Sequence, residues 1–310
     1  MAAKERPEFV SGFVSILGRP NSGKSTLLNA LVKTRLAIVS DKPQTTRTAV
    51  QGVWTQPGAQ VVFLDTPGIH HGDTLINRRM MESVRAALKD RDLLLLLADC
   101  THRFADADAR AVELLAGHRT PALLALNKVD RLADKRALLP LIERYHGLGA
   151  FQACIPISAL TGVGLDTLRD AIVARLPPGP RYFPDDYLTD QPERFLAAEL
   201  IREQVLRQTG QEVPHAAAVV VDLWEETPAL TRIAATVYVE RGGQKGIVIG
   251  AAGARLKQIG TRARLEMEAL LGKKIFLELF VKVRPRWRQS PEFLNAIDWR
   301  SMSGDEGKTA

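Results

Sequence analysis

Short apolar runs that each close on a polar residue recur through the first half of the chain: FVSILG (13–18), VVFLD (61–65), LLLLLAD (93–99), ALLALN (122–127) and CIPIS (154–158). Helical spacing follows the first run over 24–32, and amphipathic stretches fill about 75–90, 106–117, 134–146 and 164–176. Strands alternating with helices predict a mostly parallel sheet covered by helices on both faces, because runs this apolar suit strands buried on both sides. Ligands of such sheets bind beyond the carboxyl ends of the strands. One stretch breaks the alternation: two strand-like runs flank QPGA within 47–65, with no room for a helix, which predicts an antiparallel hairpin. Residues 33–47 show little periodicity and read as a mobile loop.

The second half has a different rhythm. Residues 174–190, with prolines at 177, 178, 180 and 184, read as a partly extended linker. A helix is expected over 191–208 with Phe195, Leu196, Leu200, Val205 and Leu206 on a broad apolar face. Two alternating strands follow, HAAAVVVDLWEE and TRIAATVYVER, then a short helix near 244–249, the turn GAAG (250–253), a helix to about Leu271 and the strand KIFLELFVKVRP. The boundaries read from this pattern are a first domain over 1–178, a linker over 179–190, a second domain with its extension over 191–298 and a disordered tail over 299–310.

Composition adds three points. The chain has 310 residues, enough for two domains with proper cores, and at 45% hydrophobic and 25% charged it has the composition of a globular protein. Its longest uninterrupted apolar runs, such as 93–98, are far too short to span a bilayer, and MAAKERPEF has no apolar stretch resembling a signal peptide, so a cytoplasmic location is expected. Cys100 and Cys154 are the only cysteines and lie outside any metal-ligand spacing, which suits buried thiols in a reducing compartment. The net charge of +7 is unevenly placed: residues 244–288 hold eleven Lys/Arg and three Asp/Glu, 11 − 3 = +8, so the rest sums to about −1.

The chemistry sits at the ends of the apolar runs. GRPNSGKS (18–25) matches G-x-x-x-x-G-K-[ST] between a strand and a helix, where glycines let backbone N–H groups wrap a phosphate chain and the helix N-terminus adds positive potential. Within this loop Gly18, Asn21, Ser22, Gly23, Lys24, Ser25 and Thr26 are the candidate contacts, with Lys24 neutralising β/γ-phosphates and Ser25 ligating Mg²⁺. The same GKT triplet in GDEGKTA near the C-terminus lacks both a preceding strand and the first glycine, whose place Met302 takes. DTPG (65–68) closes the next strand: Asp65 is placed to hold Mg²⁺ through water, and the Gly68 amide to contact a γ-phosphate. NKVD (127–130) offers Asp130 to the N1/N2 edge of guanine, which adenine cannot match, with Asn127 and Lys128 bracing the base and phosphate loop. Ser158, Ala159 and Leu160 end the last strand, where the Ala159 amide can meet guanine O6. In this order the four elements specify GTP and GDP.

The set resembles the translation-factor class of P-loop GTPases, and KPQTTR before DTPGIH is similar to the Era family. That resemblance implies a switch loop before the hairpin whose threonine completes the Mg²⁺ shell: Thr46 by the family pattern, with Thr45 as the alternative. GTP and Mg²⁺ are then expected to order 38–48 and 66–75. Lys24, Thr46, Gly68 and Asn21 are the residues assigned to catalysis. Ras-like enzymes orient the attacking water with a glutamine after DxxG. Here Ile69 holds that place, and slow intrinsic hydrolysis is expected. Potassium-activated relatives imply that an Asn at position 21 can ligate K⁺ beside the phosphates; the plainer alternative is a loop-shaping hydrogen bond. His70 and His71 are tempting bases but suit an exposed switch loop equally well.

The helix, two strands, two helices about GxxG and final strand of the second half resemble a type II KH domain, and GQKGIVIGAAGARLKQIGTRARLEME is similar to the RNA-binding module of the same family. A GxxG loop approaches the nucleic-acid backbone closely while single-stranded bases lie along a neighbouring apolar groove. Era-like loops usually carry a lysine inside this turn; Ala251 and Ala252 provide none, so phosphate attraction falls to Lys245, Arg255, Lys257, Arg262 and Arg264 around Gly250 and Gly253. Trp287 among Arg284, Arg286 and Arg288 could stack on a base or pack on the module. The resemblance implies binding to the 3′ end of 16S rRNA and maturation of the small, 30S ribosomal subunit, with peripheral contact to the inner membrane as a family trait that no amphipathic anchor here requires; a monomer is expected, though no residue pattern sets the oligomeric state. An RNA chaperone whose nucleotide is structural is the alternative.

Overall fold

The computed structural model describes residues 9–299 apart from 43, 70, 71, 150 and 211. Its backbone separates into two compact units: one gathers the described residues of Met1–Leu36, Thr46–His71 and Met80–Asp190, the other those of Ala37–Thr45, Gly72–Arg79 and Gln191–Ala310. The tail beyond 299 and the residues before 9 lie outside the described residues.

The first unit is built from β1 (Val10–Gly18), α1 (Lys24–Val32), β2 (Val50–Gln56), β3 (Ala59–Asp65), α2 (Leu75–Ala86), β4 (Leu93–Asp99), α3 (Asp106–Ala116), β5 (Ala122–Asn127), α4 (Leu138–His146), β6 (Phe151–Pro156) and α5 (Leu165–Val173), the first turn of α2 falling in the second unit. The strands form one sheet in the order β2-β3-β1-β4-β5-β6. Among the described strands of this sheet, the β2–β3 pair is antiparallel and the other neighbouring pairs are parallel. On one face Leu94, Leu96, Leu124 and Leu126 pack with Val84 of α2, Val112 and Leu115 of α3 and Tyr145 of α4. Their neighbours Leu93, Leu95, Leu97, Leu123 and Ala125 are also buried, so both faces are covered. This explains why the β4 and β5 sequences read as continuous apolar runs. Since β1 lies between β3 and β4, the chain departs from it in both directions, and its carboxyl end is a topological switch point.

Residues 177–189, expected mostly as a linker, lie along the first unit. Ser11 Oγ donates to Pro180 O at 2.6 Å, Tyr182 N–H and Phe183 N–H donate to Gln60 Oε1 at 2.8 and 3.0 Å, and Val53 N–H donates to Leu188 O at 2.8 Å. Prolines leave this segment few donors but keep its carbonyls. The Leu188 carbonyl satisfies an amide of edge strand β2, which would otherwise offer an open sheet edge.

The second unit contains α6 (Glu193–Gln208), β7 (Ala218–Glu226), β8 (Thr231–Val239), α7 (Gly242–Ile249), α8 (Ala254–Leu271), β9 (Ile275–Val283) and α9 (Pro291–Ala296). Its sheet runs β7-β8-β9, with β7 antiparallel and β9 parallel to β8. Ile201 and Val205 of α6, Ile233, Val237 and Val239 of β8, Val248 of α7 and Ile259, Ala263 and Met267 of α8 form its core. This helix-strand-strand-helix-helix-strand order is the type II KH arrangement. α6 differs from a simple amphipathic helix, because Arg202, Glu203 and Gln204 are buried together with its apolar side. Trp287 is fully buried, its indole N–H donating to Ala216 O at 2.8 Å and its ring 5.5 Å from that of Phe293. It packs inside the unit and is not available to stack on a base.

Candidate nucleotide site and nucleic-acid groove

Four strand ends converge at the carboxyl edge of the first sheet. The loop after β1 turns into α1 through Gly23, at φ 99° with Asn127 so close that a Cβ would stand 2.3 Å from its amide nitrogen. Only glycine permits that turn. Lys24 is buried and donates to the carbonyls of Gly18 and Arg19 at 3.3 and 2.9 Å. Burial pushes its ammonium down to about 8, against the pull of Asp65. Asp65 is likewise fully buried; loss of water raises its carboxyl to about 6, opposed by Lys24, Ser25 and Thr46.

Ser25 Oγ donates to Asp65 Oδ2 at 2.7 Å and lies 2.8 Å from Thr46 Oγ1, which in turn is 3.4 Å from Asp65 Oδ2. The second carboxylate oxygen, Oδ1, is buried with no partner among the described residues, as is Ser22 Oγ. Unsatisfied buried acceptors are costly unless a ligand supplies the missing contact. Two hydroxyls and a carboxylate are oxygen donors of the kind Mg²⁺ takes, and they fit that ion. Across the site, a Cβ on Gly68 would lie 2.8 Å from Pro20 N and Cα, so the DTPG backbone presses directly on the phosphate loop. Ile69 is buried in the core with its N–H on Gly18 O at 3.2 Å.

The base end is a set of braces. Asn127 Nδ2 donates to Ser22 O at 2.8 Å while its Oδ1 accepts the Ala159 N–H at 2.9 Å. The Ala159 amide expected at guanine O6 therefore faces Asn127 here. Ser158 is buried and its Oγ accepts the Thr161 N–H at 3.1 Å, while Leu160 and Asp130 are exposed. Lys128 donates to Asn21 O at 2.8 Å and pairs with Asp99. Both Asn21 and Lys128 adopt left-handed backbone, at φ 62° and 71°. Each such residue costs roughly 1–2 kcal/mol, a strain that surrounding contacts must hold in place. Thr26 continues α1 behind the loop. His70 and His71 lie outside the described residues.

Two supporting groups were not anticipated from the motifs. Asp99, at the end of β4, holds Lys128 and also accepts from the Thr101 N–H and Oγ1 at 3.0 and 2.6 Å. Lys128 and Thr101 overcome the cost of its half-burial and hold its carboxyl below the ordinary range. Asp108 of α3 is buried and accepts from Arg19 Nη1 at 2.8 Å, Tyr145 Oη at 3.0 Å and the Ala105 N–H at 3.0 Å. The only sequence signal for Asp99 is that a charged residue closes an otherwise apolar strand at the ligand edge.

In the second unit, Gly250 and Gly253 sit at φ 73° and 78° around Ala252, itself at φ 47°. Beside this turn runs a groove of about 380 Å³ lined by Leu256, Lys257, Gly260, Thr261, Arg264 and Leu279. Lys257 and Arg262 are exposed and Lys245 is half-buried. Two of the basic groups are partly engaged: Arg255 donates to the Ile247 carbonyl at the end of α7, and Arg264 pairs with Glu268 at 3.0 Å.

Residues 13–128 match the family model described as 50S ribosome-binding GTPase, and 212–288 match the KH domain model. A relative from Geobacter metallireducens, GTPase Era, is 50% identical over 293 residues, covering 94% of this chain and 98% of that protein. GTPase Era of Staphylococcus haemolyticus is 44% identical over the same shares. The chain belongs to the Era family of GTPases. A crystal structure of Era in complex with MgGDPNP and nucleotides 1506–1542 of 16S ribosomal RNA superposes with a TM-score of 0.91 at 38% identity, covering 94% of this chain and 99% of that one. A variant of Aquifex aeolicus Era bound to GDP·AlF4⁻ gives 0.90 at 38% identity over the same shares. Membership in the Era family extends over both units.

Proposed function

We propose that this Era-family GTPase is a nucleotide-operated RNA-binding switch that engages the 3′ end of 16S rRNA and assists maturation of the 30S subunit. The observation that supports it is the presence, in one chain, of the GRPNSGKS, DTPG and NKVD segments at one sheet edge and of a GxxG groove, on an architecture whose solved relative holds MgGDPNP and that RNA segment together.

Gly18, Ser22, Gly23 and Lys24 cradle the phosphates, with Thr26 and Asn21 flanking them; Ser25, Thr46 and Asp65 hold Mg²⁺, which when bound neutralises phosphate charge. Gly68, pressed against Pro20, reports the γ-phosphate through its backbone. Asp130 reads the guanine edge, steadied by Asn127, Lys128 and the turn at 158–160. Ile69 is buried and has no hydrogen-bonding side chain with which to orient water, so intrinsic hydrolysis is slow. Lys245, Lys257 and Arg262 supply the phosphate attraction that Ala251 and Ala252 lack, with Arg255 and Arg264 shaping the groove walls around Gly250 and Gly253. The protein acts as a monomer in the cytoplasm. No helix among the described residues is long and apolar enough to cross a membrane, and contact with the inner membrane is peripheral where it occurs.

RNA affinity tests this directly: a short single strand matching the 3′ end of 16S rRNA, titrated at fixed salt against protein loaded with GDP or with a non-hydrolysable GTP analogue. Tighter binding in the triphosphate form is expected. Equal affinity in both forms would favour an RNA chaperone with a structural nucleotide.

A further inference from the structure

Residues 37–45 belong to the same compact unit as α6, and two buried charged residues of that helix, Arg202 and Glu203, contact them. Arg202, 2% exposed, donates through Nη2 to the Thr45 carbonyl; its Nε and Nη2 also reach Glu199 at 2.6 Å. Glu203, 0% exposed, accepts the Val39 N–H at 3.2 Å and pairs with Arg207 at 2.6 Å. Buried charges are retained only where they are paired and hydrogen-bonded, and adjacent Arg and Glu on a helix normally face solvent. Here both ends of one loop segment supply the compensating contacts. Gln44, between them, donates to Asn77 Oδ1 at 3.0 Å and lies 3.5 Å from His215 Nδ1, which ties 37–45 to 72–79 as well.

The position of the Arg202 contact matters more than its strength. Thr45 and Thr46 share one planar peptide unit, so fixing the Thr45 carbonyl fixes the plane from which the Thr46 side chain departs. Thr46 Oγ1 is the atom that stands 2.8 Å from Ser25 Oγ beside Asp65. We propose that Arg202 is a positioning residue for the metal–nucleoside triphosphate state: it holds the Thr45 carbonyl so that Thr46 reaches the metal corner, while Glu203 anchors the far end of the segment through Val39. This rests on the assignment of Thr46 to the metal made above. Because coupling is reciprocal, a triphosphate that orders Thr46 also strengthens the hold of α6 on the segment. GDP, which makes no demand on Thr46, leaves that hold unchanged.

The test measures equilibrium affinities of the full chain for Mg²⁺–GDP and for a Mg²⁺–GTP analogue. Arg202→Met is paired with Glu199→Leu, because removing both partners avoids stranding a half-buried carboxylate. This double variant is expected to lose about tenfold in analogue affinity, the equivalent of one charge-assisted hydrogen bond, with GDP affinity changed less than about twofold. Glu203→Gln, which keeps an acceptor for Val39, is expected to lose less. If melting shows that the double variant does not fold, Arg202→Lys, which keeps the charge but not the planar fork, is expected to shift the ratio in the same direction. Equal losses for the two nucleotides, or none for either, would reduce Arg202 to a packing role and overturn the proposal. Thr46→Ala serves as the reference. A preference unaltered by Thr46→Ala would remove Thr46 from the metal; a preference lowered by Thr46→Ala but not by the Arg202 variants would refute the coupling alone.

Discussion

Arg19 Nη1 lies 2.8 Å from Asp108 Oδ2, so the outer shoulder of the phosphate loop is tied to the N-terminal turn of α3. The same residue's carbonyl receives Lys24 at 2.9 Å, which makes Arg19 the point where the loop's support meets its functional lysine. Asp108→Ala strands the guanidinium and frees the loop, and we expect GDP and GTP affinity to fall together by about tenfold, the scale of one charge-assisted contact. Isothermal titration with each nucleotide measures it. A loss confined to GTP would contradict a general loop-supporting role. Tyr145→Phe removes one of three donors to the same carboxylate and is expected to cost about 1 kcal/mol of stability, read by denaturant unfolding.

Asp130 is exposed at the end of the base site, positioned by β5 and not held in the core. Replacing it with Asn exchanges two acceptor oxygens for a mixed donor and acceptor, which no longer matches the guanine edge. Asp130→Asn is expected to weaken GTP and favour xanthosine triphosphate, because the xanthine edge offers the complementary carbonyl. Competition between the two nucleotides decides it, and an unchanged preference would remove Asp130 from base recognition.

Asn21 stands in left-handed backbone with its carbonyl on Lys128. A monovalent cation at its side chain would add positive charge beside the phosphates, where Ile69 provides no polar help. GTP turnover is therefore expected to rise in K⁺ relative to Na⁺ at equal ionic strength, and Asn21→Ala to abolish the difference. Equal turnover in the two salts leaves Asn21 with its loop-shaping role only.

The GxxG turn of this chain carries no charge between its glycines. Ala251→Lys places an ammonium at an exposed turn position, and each added phosphate contact steepens the salt dependence for single-stranded nucleic acid by about 0.7 in log–log slope. Tighter RNA binding at low salt is expected, converging with the parent protein as salt rises. A gain that ignored salt would point to altered turn geometry instead.

How much of this was legible in the sequence depended on contiguity. GRPNSGKS, DTPG and NKVD each place several candidate ligand-binding atoms within a few residues at a strand end, so spacing alone picks them out as candidates, and the alternation of apolar runs exposed the sheet that aligns them. The supporting contacts join residues far apart in the chain: 29 residues separate Lys128 from Asp99, and 89 separate Arg19 from Asp108. A lone Asp or Arg on a helix reads as a solvated face, since nothing in its neighbourhood shows what will cover it. α6 shows the same limit: its apolar positions marked a buried side, but the burial of Arg202 and Glu203 required knowledge of where residues 37–45 go. The linker prolines misled for a related reason, because extended backbone that satisfies a sheet edge has the same composition as backbone that spans between domains.

The hold of Arg202 on Thr45 also has a consequence in time. Synthesis reaches Arg202 157 residues after Thr45. At roughly 5–20 residues per second, that is an interval of about 8–30 s. With β1 and the phosphate loop already made, β2 to β6 of the first sheet follow within it, whereas the helix that grips residues 37–45 does not yet exist. A nascent chain can thus assemble its phosphate cradle before the segment beside it has acquired its permanent neighbour, and the protein becomes a two-sided device only in the last third of its own translation.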